Sequence, residues 1–179
     1  MVKMGNITTQ PEIETERFVL RPVRKSDEGP IEMYAGDPRV AMSTVSIPHP
    51  LPPGVIEAFI TRAMAEERDE DVWVMDGSKS GTSEVMGVIT LTRLDRAQSE
   101  IGYWVAPAFW NTHLASEAVQ ALVAANPLEN CAMFASVFHD NPASAKVLTN
   151  AGFVYLGDAE TYCLARDAAV PTWTYSRKL

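Results

Sequence analysis

The chain is poor in cysteine: Cys131 and Cys163 are its only two among 179 residues. With no CxxC pair and no histidine at ligand spacing, the sequence offers neither a disulfide framework nor a metal or redox centre, and no metal is expected. Cys131 opens an apolar run and reads as a small core residue. Histidine is also scarce. His139 precedes Asp140 and Asn141 but has no nearby serine or cysteine nucleophile, which excludes a hydrolytic triad. His49, in a loop, reads as solvated. No apolar run approaches the ~18 residues of a membrane span. The opening MVKMGNITTQPE lacks the apolar core of a signal peptide. No membrane partner is expected, and a reducing cytoplasm is the default location. Positive charge is short too, 15 Lys and Arg against 23 Asp and Glu, for a net charge of −8. That balance argues against a nucleic-acid partner. It serves solubility, and it also suits a cationic partner such as an amine.

An apolar fraction of 46% in 179 residues is enough for one domain with its own core. Residues 1–12 read as a flexible tail and residues 13–179 as the domain. A first strand spans 18–23, with Phe18 and Leu20 on one side. Ser26 is placed to cap a helix carrying Ile31, Tyr34 and Ala35, which Gly36 ends. Pro48, Pro50, Pro52 and Pro53 fall within six residues, so 43–54 is a loop, long enough to serve as a substrate-side flap or a structural crossing. A helix follows over 55–70, with Val55, Phe59, Ala63 and Met64 inward and the acidic EERDED run in solvent. Three strands with short turns, near 72–75, 85–91 and 100–105, read as an antiparallel meander. The continuous apolar run 131–138 reads as a central strand. Asn141 caps a helix over 142–150, with Pro142 in its first turn and Gly152 after its end. Strands near 153–156, 160–165 and 172–177 close the chain.

The stretch 100–118, EIGYWVAPAFWNTHLASEA, organises the rest. Ile101, Tyr103 and Val105 alternate with Glu100, Gly102 and Trp104, and Pro107 stops the strand because it cannot donate to a ladder. After a short loop, Leu114, Ala118, Leu122 and Ala125 recur at helical spacing, with Ser116 and Glu117 in the first turn. A strand, a tight loop and a helix N-terminus together form a candidate anion site, because free N–H groups converge there. An ordinary strand-to-helix connection has the same pattern.

IGYWVAP, then Trp110, then LASEAV resembles the acetyl-CoA motif of the GNAT N-acetyltransferases, closest to the branch of ribosomal-protein N-terminal (Rim-type) acetyltransferases. DNPASAKVLTNAGF over 140–153 is similar to a second segment of that branch, and TERFVLRPVRKSDEGPIEMY over 15–34 to its first strand and helix. The resemblance implies an α/β chain of the GNAT (acyl-CoA N-acyltransferase) fold, a mixed, mostly antiparallel sheet flanked by helices. It also implies acetyl-CoA as co-substrate and an amine acceptor, a protein N-terminus or a small molecule. One departure stands out. The family loop reads Gly-x-Gly after the Trp, and here Asn111 and His113 hold those places. Asn tolerates left-handed backbone; His113 either obstructs a pyrophosphate or donates to it.

Acetyl transfer to an amine needs a held pyrophosphate, a donor for the carbonyl oxygen, loss of an amine proton and a stabilised thiolate. The resemblance assigns the first to the backbone of Trp110, Asn111, Thr112, His113, Leu114 and Ala115, with Ser116 beside them. It assigns the second to the strand end at Trp104 and Val105, provided a neighbouring strand splays away. Glu100 is the candidate base, if it faces the cleft; an α-amine, with a pKa of about 8, can also give its proton to water. Many relatives carry a tyrosine acid where this chain has Leu148. Ser144 and Asn141 are the candidates to meet the sulfur or the pantetheine, and both also suit helix capping. Trp73, Trp104, Trp110 and Trp173 are candidates for shaping an acceptor pocket or for the core. A second class of function is a binding or regulatory module on the same fold, with weakened acetyl-CoA binding. The discriminating feature is whether the loop still accepts a pyrophosphate. Nothing in the sequence marks an oligomeric state.

Overall fold

A computed structural model describes residues 10–179. In chain order its elements are β1 (Ile13–Glu14), β2 (Val19–Pro22), α1 (Glu28–Ala35), α2 (Pro38–Ala41), α3 (Val55–Ala63), β3 (Glu70–Asp76), β4 (Gly87–Leu94), β5 (Gln98–Val105), α4 (Leu114–Ala125), β6 (Ala132–Phe138), α5 (Pro142–Asn150), β7 (Val154–Cys163) and β8 (Ala168–Lys178). The eight strands form one sheet in the order β1-β2-β3-β4-β5-β6-β8-β7. All neighbours are antiparallel except β5 and β6. Nine residues of the expected tail lie outside the described residues. Of the remainder, Gln10 donates to the Val72 carbonyl at 2.7 Å, and Trp73 donates its indole N–H to the Pro11 carbonyl at 2.8 Å.

The sheet is covered on both faces. Phe18, Leu20, Trp73, Ile89, Leu91 and Ile101 pack against Leu114, Ala118 and Leu122 of α4 and Leu148 of α5. Val72, Val74 and Val88 point the other way, onto Ile31 and Ala35 of α1 and Ile56 and Ile60 of α3. Burial on both sides accounts for the uninterrupted apolar run in β3, since alternate residues serve different layers.

Several expectations shift. β1 and α2 are too short for a period to show in sequence. The expected Ser26 cap is replaced: the Asp27 carboxylate accepts from the Arg24 N–H at 2.9 Å and receives the Arg21 guanidinium on both oxygens at 2.8 Å. α3 stops at Ala63, its buried stripe is Ile56, Ile60 and Ala63, and Met64 is exposed. Of the expected stripe Ala63 is buried and Phe59 packs partly buried against the core, while Ile56 and Ile60 carry the rest of the buried face. The acidic run ends inside the sheet, where Asp71 is buried and meets Arg68 at 2.7 Å and Arg93 at 3.0 Å. The two short strands expected around Gly157 are one strand, β7, which absorbs the glycine in an irregularity of its register with β8. Cys131 is exposed and precedes β6, whereas Cys163 is buried. Among the described residues no helix is long and apolar enough to cross a membrane.

The feature that makes a site is a divergence. β5 and β6 pair only at Gln98–Ala132, Ser99–Met133 and Glu100–Phe134. β5 stays paired with β4 as far as Val105, and β6 with β8 as far as Phe138. Held by different neighbours, the two strands part beyond Glu100 and leave a wedge between them.

Candidate active site

The wedge opens into a cleft of about 1390 Å³. The residues given a catalytic or cofactor-binding role from sequence all line it: Glu100, Trp104, Val105, the run Trp110 to Ser116, Asn141 and Ser144.

At its mouth lies the loop between β5 and α4. Pro107 starts a single 3-10 turn, and the chain then takes left-handed backbone at Asn111 (φ 61°) and His113 (φ 62°). These are the two places where the resembled loop has glycine, so the glycine geometry survives without the glycines. Among the described residues, the N–H groups of Asn111, Thr112, His113, Leu114, Ala115 and Ser116 have no hydrogen-bond partner. The first bond of the helix runs from the Glu117 N–H to the His113 carbonyl at 3.1 Å, and no side chain caps the turn. Unpaired donors at the positive end of a three-turn helix form an anion cradle. The side chains of Asn111, Thr112 and His113 are exposed, while Leu114 is buried and anchors the turn in the core. Glu117 turns away from the mouth and accepts from Arg17 Nε at 2.7 Å.

The strand end supplies a second kind of donor. The Ala106 N–H donates to the Met86 carbonyl at 2.8 Å. Main-chain groups alternate sides along a strand, so the Trp104 N–H also faces β4, whereas those of Tyr103 and Val105 face the side β6 has left. The Val105 carbonyl on that side accepts the Trp110 indole N–H at 2.7 Å. Its N–H is left directed into the wedge. Trp104 contributes its ring to the cleft wall, edge-on to Tyr34 with centroids 6.4 Å apart.

Glu100 is the last residue of β5 paired with β6. Its carboxylate has no hydrogen bond or ion pair among the described residues. Its side chain is exposed along the cleft, and the partial desolvation it undergoes there raises its pKa. It lies across from Thr92, which lies across from Glu70, so three residues form a row over β5, β4 and β3. Thr92 Oγ1 donates to Glu70 Oε2 at 3.1 Å. Burial raises the Glu70 carboxyl as well, against opposing effects of Thr92 and Arg62. Glu70 also lines the cleft. It went unnoticed in sequence as part of an acidic run; its alternation with Val72 and Val74 is the signal that places it on the same face.

On the opposite wall, Asn141 caps α5, its Oδ1 accepting the Ser144 N–H at 3.3 Å. The Ser144 hydroxyl lies 2.6 Å from the Tyr103 phenol oxygen, which is also 3.1 Å from the Ser144 carbonyl. Tyr103 read only as a strand residue; 41 positions separate it from its partner, and no local pattern joins them. Leu148 is fully buried. The proline-rich stretch supplies cleft wall through Met42 to Ile47. The β7–β8 turn holds it there: Arg166 donates to the Met42 carbonyl at 2.9 and 2.7 Å while pairing with Asp140 at 2.6 Å, and the Leu164 N–H donates to the Val45 carbonyl at 3.1 Å. His49 is half-buried outside the cleft lining. Of the other tryptophans, Trp73 is fully buried and Trp173 stacks on His139 at 4.7 Å, so neither shapes the cleft.

Residues 17–154 match the family model described as an acetyltransferase (GNAT) domain. The chain belongs to the GNAT family of acetyltransferases. It is 25% identical over 171 residues to an uncharacterized N-acetyltransferase, YoaA, of Bacillus subtilis strain 168, covering 93% of this chain and 96% of that one. Its fold matches RimL, a ribosomal L7/L12 alpha-N-protein acetyltransferase solved in complex with coenzyme A, with a TM-score of 0.81 at 16% identity over 94% of this chain and 98% of that one. It also matches a spermidine N-acetyltransferase from Vibrio cholerae in complex with CoA and spermine, with a TM-score of 0.73 at 14% identity over 89% and 95% of the two chains. Enzymes with different acceptors thus share the fold, and the Rim-type branch is not set apart from the others.

Proposed function

We propose that this chain is an acetyl-CoA-dependent N-acetyltransferase that acts on a primary amine. The observation that carries the reading is the run of six unpaired N–H groups from Asn111 to Ser116 at the mouth of the β5–β6 wedge. That cradle fits a pyrophosphate. The left-handed backbone at Asn111 and His113 keeps the donors aimed together, which supports the enzyme over a binding module that has lost its ligand.

When bound, acetyl-CoA supplies an activated acetyl thioester. The Val105 N–H, fixed in direction by the sheet, is placed to donate to the carbonyl oxygen as negative charge builds on it. Glu100 is placed to receive a proton from the attacking amine, and partial desolvation, which raises its pKa, makes it a stronger base than an ordinary glutamate. Ser144, on the other wall, would meet the sulfur of the bound thioester. Glu70 and Glu100 in one row, on a chain of net charge −8, favour a cationic acceptor. Two of the relatives named above are an alpha-N-protein acetyltransferase and a spermidine N-acetyltransferase, and both acceptors are amines of this kind.

The test is thermal unfolding with and without acetyl-CoA. At a hundred times its dissociation constant a ligand adds about 2.7 kcal/mol, which for a domain of this size raises Tm by roughly 5–10 °C. A shift of that size supports the reading. No shift at millimolar acetyl-CoA sinks it and leaves the binding-module reading.

A further inference from the structure

We propose that Tyr103 is a positioning residue for the leaving thiolate, acting through Ser144 as one end of a two-hydroxyl switch. The inference rests on the acetyltransferase reading above. Tyr103 projects from β5 and Ser144 from the first turn of α5, so the pair spans the wedge where the strands have separated.

Two hydrogen-bond arrangements satisfy the same atoms. In the first, the Tyr103 O–H donates to the Ser144 carbonyl (3.1 Å) and the Ser144 O–H donates to the phenol oxygen (2.6 Å). Both hydroxyls are then engaged, and none points at the ligand. In the second, the Tyr103 O–H donates to Ser144 Oγ across the same 2.6 Å, and the Ser144 O–H is free to donate into the cleft. The neutral thioester sulfur is a weak acceptor, which favours the first. A thiolate is a strong one, which favours the second.

The chemistry balances without moving a proton at either residue. The amine nitrogen bonds to the acetyl carbon, the C–S bond breaks with its electron pair going to sulfur, and the amine proton leaves to Glu100. Ser144 and Tyr103 only rotate their O–H bonds. Burial pushes the Tyr103 phenol up to about 12, so it remains a donor through the physiological range. The pair stabilises the thiolate by a hydrogen bond, where the tyrosine acid that Leu148 replaces would protonate it.

The test compares binding of CoA and desulfo-CoA by calorimetry between pH 7 and 10. The wild-type protein is expected to prefer CoA increasingly as its thiol ionises, and to bind desulfo-CoA with no such trend. A hydrogen bond to a charged group is worth roughly 1.5–3 kcal/mol, so Tyr103→Phe is expected to reduce the alkaline preference about tenfold. Desulfo-CoA affinity stays unchanged because the ring still fills its place. Ser144→Ala removes the preference, Ser144→Thr restores part of it, and Tyr103→Phe/Ser144→Ala is no worse than Ser144→Ala alone. Equal weakening of both ligands in Tyr103→Phe assigns it a packing role and overturns the proposal. So do additive losses in the double variant, or a wild-type protein that binds both ligands alike at every pH. A wild-type protein that binds neither ligand overturns the acetyltransferase reading as well.

Discussion

The Trp110 indole N–H donates to the Val105 carbonyl at 2.7 Å, tying the loop that would hold a pyrophosphate to the strand end that would hold an acetyl carbonyl. The hydrogen bond links the two donor sets directly. Trp110→Phe keeps most of the ring and deletes the bond. A typical hydrogen bond contributes about 0.5–1.5 kcal/mol, so a Tm loss of about 2–5 °C is expected for a domain of this size. A several-fold weaker dissociation constant for acetyl-CoA by calorimetry should accompany it. Loss of stability with unchanged affinity would show that the loop and the strand end are not coupled.

His113 stands at φ 62° and Asn111 at φ 61°. Left-handed backbone costs a residue with a Cβ roughly 1–2 kcal/mol, less for Asn. His113→Gly removes that cost but frees the unfolded chain, which returns part of the gain. The expected result is a Tm about 1–3 °C higher, with acetyl-CoA bound at least as tightly. His113→Val should lower Tm, because β-branching crowds this backbone region. A lower Tm in His113→Gly would mean that the imidazole contributes more than its backbone conformation costs.

Partial desolvation raises the Glu100 carboxyl above its usual range. A base must be ionised to work, so kcat/KM with a reactive amine should fall as pH drops through that raised value. Glu100→Gln should lower the neutral-pH rate roughly 10²-fold or more and abolish this limb of the pH–rate profile. Stability runs the other way. The folded state holds the Glu100 proton more tightly than the unfolded chain, so stability falls as pH rises from the ordinary glutamate range through the raised pKa. Glu100→Gln should escape this loss, giving a smaller decline in Tm between pH 4 and 7 than the wild type. An unchanged pH–rate profile in the variant would assign the amine proton to water.

Arg21 is a buried structural cation. It meets Asp27 on two oxygens at 2.8 Å and Asp76 at 2.6 Å, joining β2, the entry to α1 and the end of β3. Removing one partner of a buried pair costs about 3–5 kcal/mol because the other charge is stranded. Arg21→Met strands two carboxylates and should cost at least as much as Asp76→Asn, measured by urea unfolding. For Asp76, burial raises the carboxyl, but hydrogen bonds from Ser78 and Arg21 outweigh it and the pKa is lowered. Its contribution is present above the ordinary aspartate range and lost as pH falls through the lowered value. Acid unfolding of Asp76→Asn should accordingly be less steep.

Most helices and strands were legible in sequence because their signals are local. Leu114–Ala125 and Pro142–Asn150 appear where helical spacing and the Asn141 and Pro142 signals place them, since caps and stripes act within one or two turns. The motif stretch 100–118 was sufficient to mark the loop, and the family match confirms the class it pointed to. The inward face of α3 was legible only in part. Ala63 is buried and Phe59 packs on the core, but Ile56 and Ile60 complete the buried face. Val55 and Phe59 also line the cleft, and period alone does not say which of two apolar stripes is buried.

By itself, then, the sequence determined the order of the main elements, the strand–loop–helix motif and the family. Tertiary structure decided the rest. The parting of β5 from β6 after Glu100 depends on each strand staying paired with a different neighbour, and ladder pairing is not written in either strand alone. The same parting creates the cleft that Glu70 enters from β3, Glu100 and Tyr103 from β5, and Ser144 from α5. It also leaves the Val105 N–H without a partner strand. These relations join residues tens of positions apart, so packing and register set them, and no local propensity records them.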